Sequence, residues 1–195
     1  MSFEAAFTRL PEFRTNRLKI RQLQPRDAVA IFEIKSNREV TRRYGVEPCE
    51  SLEQTKKWIE DRVSNYNNKM VLYWVFSLTG EDRAIGSVCL WHLDIESRCA
   101  EVGYELNPTY WSHGYMFEAL WAVLDYGFEI GFHRMEACPF EINEPSKKLL
   151  LKLGFKHEGT LRDRCFFHGE YWNQLYFGLL KEEWMRRKER FEPHS

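Results

Sequence analysis

The spacing of apolar residues switches between two rhythms along the chain. Arg17 to Leu23 (RLKIRQL) alternates charged and apolar residues, as a half-buried strand does. Pro25 and Asp27 then open a helix in which Ala28, Ile31, Phe32 and Ile34 recur at helical spacing. A polar, irregular section follows around Tyr44 to Cys49. At Ser51 the pattern S-x-x-Q, completed by Gln54, is a capping box and predicts a helix to about Lys69.

Alternation then returns. VLYWVFSL, AIGSVCLWHL after the turn GEDR, and CAEVGYEL predict an antiparallel meander. In its last strand Ala100, Val102, Tyr104 and Leu106 share one face, and Glu101, Gly103 and Glu105 share the other. NPTYWSHG breaks that strand. Phe117, Leu120, Trp121, Leu124 and Phe128 follow at helical spacing, and Gly131 closes the helix. RMEACPFE reads as a strand whose ladder is incomplete at Pro139.

NEPSKKLLLKLGF predicts a short helix with Asn143 as N-cap, Pro145 in the first turn and Gly154 as C-cap. TLRDRCFFH and NQLYFGLL read as two further strands separated by GEYW, and KEEWMRRKER as a last helix. The order is strand, two helices, three strands, helix, strand, helix, two strands, helix. That is an α+β fold with a largely antiparallel sheet.

No repeat, low-complexity tract or long Gly/Ser linker interrupts the 195 residues, which predicts one domain over 1–195. A hydrophobic fraction of 44% with 15% aromatic residues supplies a full core. The net charge of −1 gives no electrostatic reason for a nucleic-acid or anionic-membrane partner. MRRKER follows Glu182 and Glu183 at helix spacing and reads as a solvated terminal helix.

Cys49, Cys89, Cys99, Cys138 and Cys165 are odd in number and scattered, which argues against a disulfide framework or a zinc site. They suit reduced thiols in a cytosol. The N-terminal stretch is charged throughout, and no apolar run is long enough to span a bilayer, so a soluble, cytoplasmic protein is expected.

The candidate chemistry centres on YWSHGYMFEAL, Tyr110 to Leu120, where a strand ends and an amphipathic helix starts at a glycine. A helix N-terminus offers unpaired N–H groups and partial positive charge, suited to a phosphate. RLKIRQLQPRDA, AEVGYELNPTYWSHGYMFEAL and HRMEACPFEINEPSKKLLLKLGFKHEG, in that order, resemble the GNAT superfamily of acetyl-CoA-dependent N-acetyltransferases. The likeness is greatest to the branch holding the ribosomal-protein N-terminal acetyltransferases. It covers about residues 15–180, with the last helix at about 181–191 beyond it.

The resemblance implies a three-layer α/β/α fold with a centrally splayed, mostly antiparallel mixed sheet. It implies acetyl-CoA as the acetyl donor, coenzyme A as product, no metal, and an amine-bearing acceptor, with a homodimer possible. The family's loop pattern Q/R-x-x-G-x-G/A falls on Trp111, Ser112, His113, Gly114, Tyr115 and Met116. Gly114 matches. Met116 departs from the usual small residue, and either crowds the phosphate or turns into the core. Tyr104, Glu105 and Leu106 are the implied backbone contacts to the pantetheine arm, with Gly103 permitting a bulge.

Direct attack on a thioester needs a neutral amine, so a carboxylate base is expected. Glu101 is the first candidate, ahead of Glu141, Glu105 and the loop residue His113. Ser146 of N-x-x-S is the candidate acid for the leaving thiolate, and Asn143 the residue that bonds the pantetheine or a water. Where some relatives carry a glutamate, this chain has Arg164, Cys165 and Phe166. Cys165 has no identifiable activating histidine and reads as a small hydrophobe. Substrate-side aromatics are available in Tyr44, Trp74, Phe76, Trp91, Phe166, Phe167 and Tyr171, beside His92.

The favoured acceptor, on resemblance, is a protein or peptide N-terminal amine. The alternatives are a small-molecule amine, or a non-catalytic acyl-CoA or protein-binding module on the same fold.

Overall fold

The computed structural model describes residues 3–191. Eight strands form one sheet in the order β1-β2-β3-β4-β5-β6-β8-β7. They are β1 (Phe13–Arg14), β2 (Leu18–Gln22), β3 (Leu72–Leu78), β4 (Gly86–Asp94), β5 (Cys99–Leu106), β6 (Arg134–Ala137), β7 (Lys156–Phe167) and β8 (Glu170–Leu180). Every neighbouring pair is antiparallel except β5 and β6. The helices are α1 (Phe3–Thr8), α2 (Ala28–Lys35), α3 (Arg38–Thr41), α4 (Leu52–Asn67), α5 (Tyr115–Ile130), α6 (Glu144–Leu153) and α7 (Lys181–Phe191).

The alternation read along β3, β4 and β5 sorts side chains into two cores. Leu72, Trp74, Phe76, Val88, Leu90, Ala100 and Val102 pack with the apolar faces of α5, α6 and α7. Val71, Tyr73 and Val75 pack with Ile31 and Ile34 of α2 and Ile59 of α4 on the opposite face. The result is the expected three-layer α/β/α arrangement. Among the described residues, no helix is long and apolar enough to cross a membrane.

Local chemistry sets the boundaries. Ser51 Oγ accepts the Gln54 N–H, and Gln54 Oε1 accepts the Glu50 N–H, which starts α4 one residue after Ser51. Asp27, at the start of α2, is buried and pairs with Arg21 of β2 through two hydrogen bonds of 2.8 and 2.7 Å. It also accepts the Gln24 N–H at 2.9 Å, so its partners among the described residues come from the strand-to-helix corner.

The fold departs from the expectation in several places. α1, β1 and α3 were not anticipated. They span 6, 2 and 4 residues, too short to carry a period of their own. β7 begins at Lys156 rather than Thr160, and Glu170, Tyr171 and Trp172 of GEYW belong to β8. The turn is His168–Gly169, both at positive φ (50° and 82°), the geometry of a two-residue hairpin loop. β6 stops at Ala137, just before Cys138 and Pro139. The bulge expected at Gly103 lies instead on β4, between Trp91 and Asp94, where His92 has φ 46°. Gly103 pairs regularly with Cys89, and a Cβ there would stand 2.8 Å from Cys89 Sγ.

Candidate active site

The site is built where two parallel strands part. β5 and β6 pair only from Cys99↔Arg134 to Glu101↔Glu136, yet β5 continues to Leu106. Pro139 is the turning point. Its carbonyl accepts the Leu175 N–H at 2.9 Å, Phe140 bridges to Gln174, and the Glu141 N–H bonds to Asn173 O. The chain after β6 therefore follows β8 and leaves β5 behind. A cavity of about 790 Å³ opens along this line, walled by Glu101, Tyr104, Glu105, Asn143 and Ser146 among others.

Which backbone groups of β5 face the opening follows from strand geometry. The Asn107 N–H bonds to Ile85 O, so Glu105, Gly103 and Glu101 also direct their backbone groups at β4. Val102, Tyr104 and Leu106 direct theirs to the β6 side. Arg98 O, two residues before Ala100 on the same side, accepts the His133 and Arg134 N–H groups. Tyr104 and Leu106 thus stand where a backbone contact was expected, and Glu105 does not. Its backbone pairs with β4, and its side chain is the part that reaches the cavity.

Glu105 is 9% exposed and heavily bonded. Its Oε2 accepts from Lys35 Nζ at 3.1 Å and the Tyr44 hydroxyl at 3.0 Å. Its Oε1 accepts from Ser87 Oγ at 3.2 Å and the Tyr73 hydroxyl at 3.4 Å. Burial and the adjacent Glu105 charge hold the Tyr44 and Tyr73 hydroxyls well above the usual tyrosine range.

Glu101 lies four residues away on the same face and in a different environment. Its Oε2 is 3.0 Å from His92 Nδ1. An ionised carboxylate only accepts, so Nδ1 carries the proton in this bond. Burial raises the Glu101 carboxyl above its ordinary range, and the His92 bond partly opposes the rise. A carboxylate tuned upward in a cavity is equipped to take a proton from an amine. His92 itself sits on the β4 bulge with its ring stacked on Trp91 at 3.9 Å.

On the opposite strand face the Tyr104 hydroxyl is 2.6 Å from Ser146 Oγ, either atom serving as donor. Ser146 is buried in the first turn of α6, where its N–H bonds to Asn143 Oδ1 at 3.3 Å. Asn143 is the N-cap foreseen, and its Nδ2 donates to Arg43 O at 3.3 Å. Burial pushes the Tyr104 hydroxyl up, so it stays protonated near neutral pH. Cys89 and Cys138 also line the cavity, and burial pushes each thiol up to about 12.

The loop beyond β5 lies outside that cavity. Gly114 is the N-cap of α5 at φ 80°, ψ 4°, and Ser112 is also left-handed at φ 65°. Met116 is 8% exposed and belongs to the core below α5, so its side chain turns inward. Trp111 closes the strand end, its indole N–H donating to Leu106 O at 2.8 Å with the Arg43 guanidinium 4.3 Å from its ring centroid. His113 stacks on Tyr115, and its Nδ1 lies 2.7 Å from Trp111 O.

Arg17, not singled out in the sequence, holds this loop from the position just before β2. It donates to His113 O at 3.0 Å, pairs with Glu118 at 2.7 Å and lies 4.7 Å from the Tyr115 ring centroid. Only its place at the head of the RLKIRQL segment hinted at it. Of the other candidates, Glu141 bonds to Asn173 Nδ2 at 2.7 Å, Trp74 and Phe76 are core, and Phe166 and Tyr171 pair on the exposed β7–β8 hairpin. Arg164 does line the cavity. Among the described residues no group of three or more His, Cys, Asp or Glu could hold a metal ion.

Comparison with known proteins bears on the family and the fold. A Bacillus subtilis (strain 168) protein named uncharacterized N-acetyltransferase YoaA is 37% identical over 172 residues, covering 88% of this chain and 97% of its own. The structure of a ribosomal-protein-S5-alanine acetyltransferase from Vibrio fischeri superposes with a TM-score of 0.74, at 24% identity over 89% of this chain and 98% of that one. A spermidine N-acetyltransferase from Vibrio cholerae, solved with CoA and spermine, gives 0.79 at 22% identity over 88% and 99%. At these identities the two structures speak for the fold. The family model for the acetyltransferase (GNAT) domain matches residues 17–156, and this chain therefore belongs to the GNAT family of N-acetyltransferases.

Proposed function

We propose that this enzyme transfers an acetyl group from acetyl-CoA to the terminal amine of a protein or peptide, by direct attack in a ternary complex. The observation that carries the reading is that one cavity, at the splay of β5, holds an upward-tuned carboxylate on one strand face and the Tyr104–Ser146 hydroxyl pair on the other. The residues fit coenzyme A. Ser112 to Met116 present a helix N-terminus beside the Arg17 guanidinium for the pyrophosphate, and the Tyr104 backbone and the Leu106 N–H face the side β6 has left, the Leu106 carbonyl being taken by Trp111. When bound, acetyl-CoA supplies the acyl thioester and a thiol leaving group.

Glu101 takes the proton from the acceptor's ammonium, and His92 keeps that carboxylate ionised and oriented. Ser146 Oγ–H gives a proton to the departing sulfur, the Tyr104 hydroxyl at 2.6 Å passes its own proton to Ser146, and Tyr104 takes one back from solvent in the open cavity, so the pair ends as it began. Asn143 fixes the start of α6 and hence Ser146. Two of the cavity's thiols, Cys89 and Cys138, are held protonated and so are poor nucleophiles, which favours direct transfer over an acyl-enzyme. The chain acts as one acetyltransferase domain, and its unpaired cysteines suit a reducing cytoplasm.

The test is thiol release from acetyl-CoA with N-terminal peptides, wild type against Glu101→Gln. The variant should lose about 10²–10⁴-fold in kcat and lose the acid limb of the pH profile. An unchanged rate at every pH removes Glu101 as base. A small polyamine is the second reading, because Glu136, the register partner of Glu101, lines the same cavity and puts a second carboxylate there, although Arg134 pairs with it at 2.7 Å.

A further inference from the structure

The cavity contains the chemistry of an ammonium receptor, already occupied by the chain's own lysine. Lys35 stands in the last turn of α2, and its side chain is 12% exposed. Its Nζ lies 3.1 Å from Glu105 Oε2 and 3.9 Å from the centroid of the Trp58 ring, which comes from α4. Tyr73 stands edge-on to Trp58 at 5.4 Å, and the Tyr44 hydroxyl donates to the same Glu105 Oε2 as Lys35. A buried carboxylate opposite an indole face, flanked by phenols, is how alkylammonium groups are recognised.

We propose that Lys35 fills this cage from within and so sets acceptor specificity. An acceptor with a second ammonium in its tail finds the place taken and meets the Lys35 charge, whereas an acceptor with an uncharged tail does not. The inference rests on the N-acetyltransferase reading and narrows its substrate class from any amine to amines whose tails carry no second positive charge.

The experiment compares wild type, Lys35→Ala, Lys35→Arg and the double variant Lys35→Met with Glu105→Gln. Two readouts are used: binding of spermidine and of ethylammonium, followed by Trp58 fluorescence and thermal unfolding, and acetylation of spermidine against an uncharged peptide amide. Lys35→Ala should bind spermidine at least about tenfold more tightly than wild type, with ethylammonium raising its melting temperature. Lys35→Arg and the double variant should show no such gain, the first because the cage stays filled and the second because it has lost its carboxylate. In the catalytic readout the ratio of spermidine to peptide turnover should rise in Lys35→Ala alone.

Spermidine binding by wild type equal to that by Lys35→Ala overturns the proposal, as does an equal gain in the double variant. If wild type acetylates neither acceptor, the functional reading fails while the binding arm still decides the cage. Should Lys35→Ala not purify folded, recovery in ethylammonium but not in sodium at equal ionic strength supports the cage. Recovery in neither overturns it.

Discussion

Glu101 and Glu105 stand four residues apart on one strand face, with Gly103 between them, and their surroundings give them different work. Glu105 has four side-chain donors around it, among them an ammonium, and is fully engaged. Among the described residues Glu101 bonds to one side chain, His92, and burial raises its carboxyl. The His92 bond favours the ionised form, so removing it must raise the Glu101 carboxyl further. A base with a higher pKa is protonated over more of the pH range. Replacing His92 by Ala should therefore move the acid limb of kcat/KM for peptide acetylation to higher pH. The measurement is that profile against wild type, and an unmoved limb would separate His92 from the base.

At the scale of elements, the site depends on one continuous unit of strand, loop and helix. β5 ends where Trp111 ties back to Leu106, and α5 begins at Gly114 in the left-handed region. A β-branched residue is strained there, by roughly 1–3 kcal/mol. Gly114→Val should displace the N–H groups of the first turn of α5 and raise the KM for acetyl-CoA. The acceptor KM should hold, because the loop lies outside the acceptor cavity. Steady-state kinetics with each substrate varied in turn would show this split, and equal effects on both would place Gly114 in folding alone. The corner of β2 and α2 makes a different prediction. Asp27→Ala takes from buried Arg21 the carboxylate that holds it through two hydrogen bonds and leaves Asp82, 3.5 Å from Nε, so the cost should fall at or below the about 3–5 kcal/mol of a fully broken buried pair. Chemical denaturation should show the midpoint falling without a change in slope.

For the whole molecule, α7 closes the core from the C-terminal side. Trp184 is 0% exposed, its ring lies 4.4 Å from that of Trp121, and its N–H donates to Asp125 at 3.1 Å. Trp184→Ala should cost about 3–5 kcal/mol. At this chain size that lowers the melting temperature by about 6–20 °C. Thermal unfolding checks the loss, and the protein still folded at low temperature should keep its KM for both substrates. A selective loss of acetyl-CoA binding would instead tie α7 to the donor site.

Much of this was legible because it is local. The period of two along CAEVGYEL is a property of consecutive residues, and it correctly assigned Glu101 and Glu105 to one face and Tyr104 to the other. The same holds for Ser51, Asn143, Gly131 and Gly154, whose capping roles depend on neighbours within a turn. Gly114 marked the start of α5, but Met116 could not be resolved from the sequence, since its direction depends on the core beneath the helix. The tertiary structure alone decided the rest. It drew the chain after Pro139 onto β8 and so opened β5, it brought His92 to Glu101 through a bulge, and it brought Arg17 to the loop. It also carried Lys35 and Tyr44 to Glu105, from 70 and 61 residues earlier in the chain. Strand register and helix caps are written in adjacent residues, whereas the protonation and occupancy of a cavity depend on groups that meet only when distant segments are packed together.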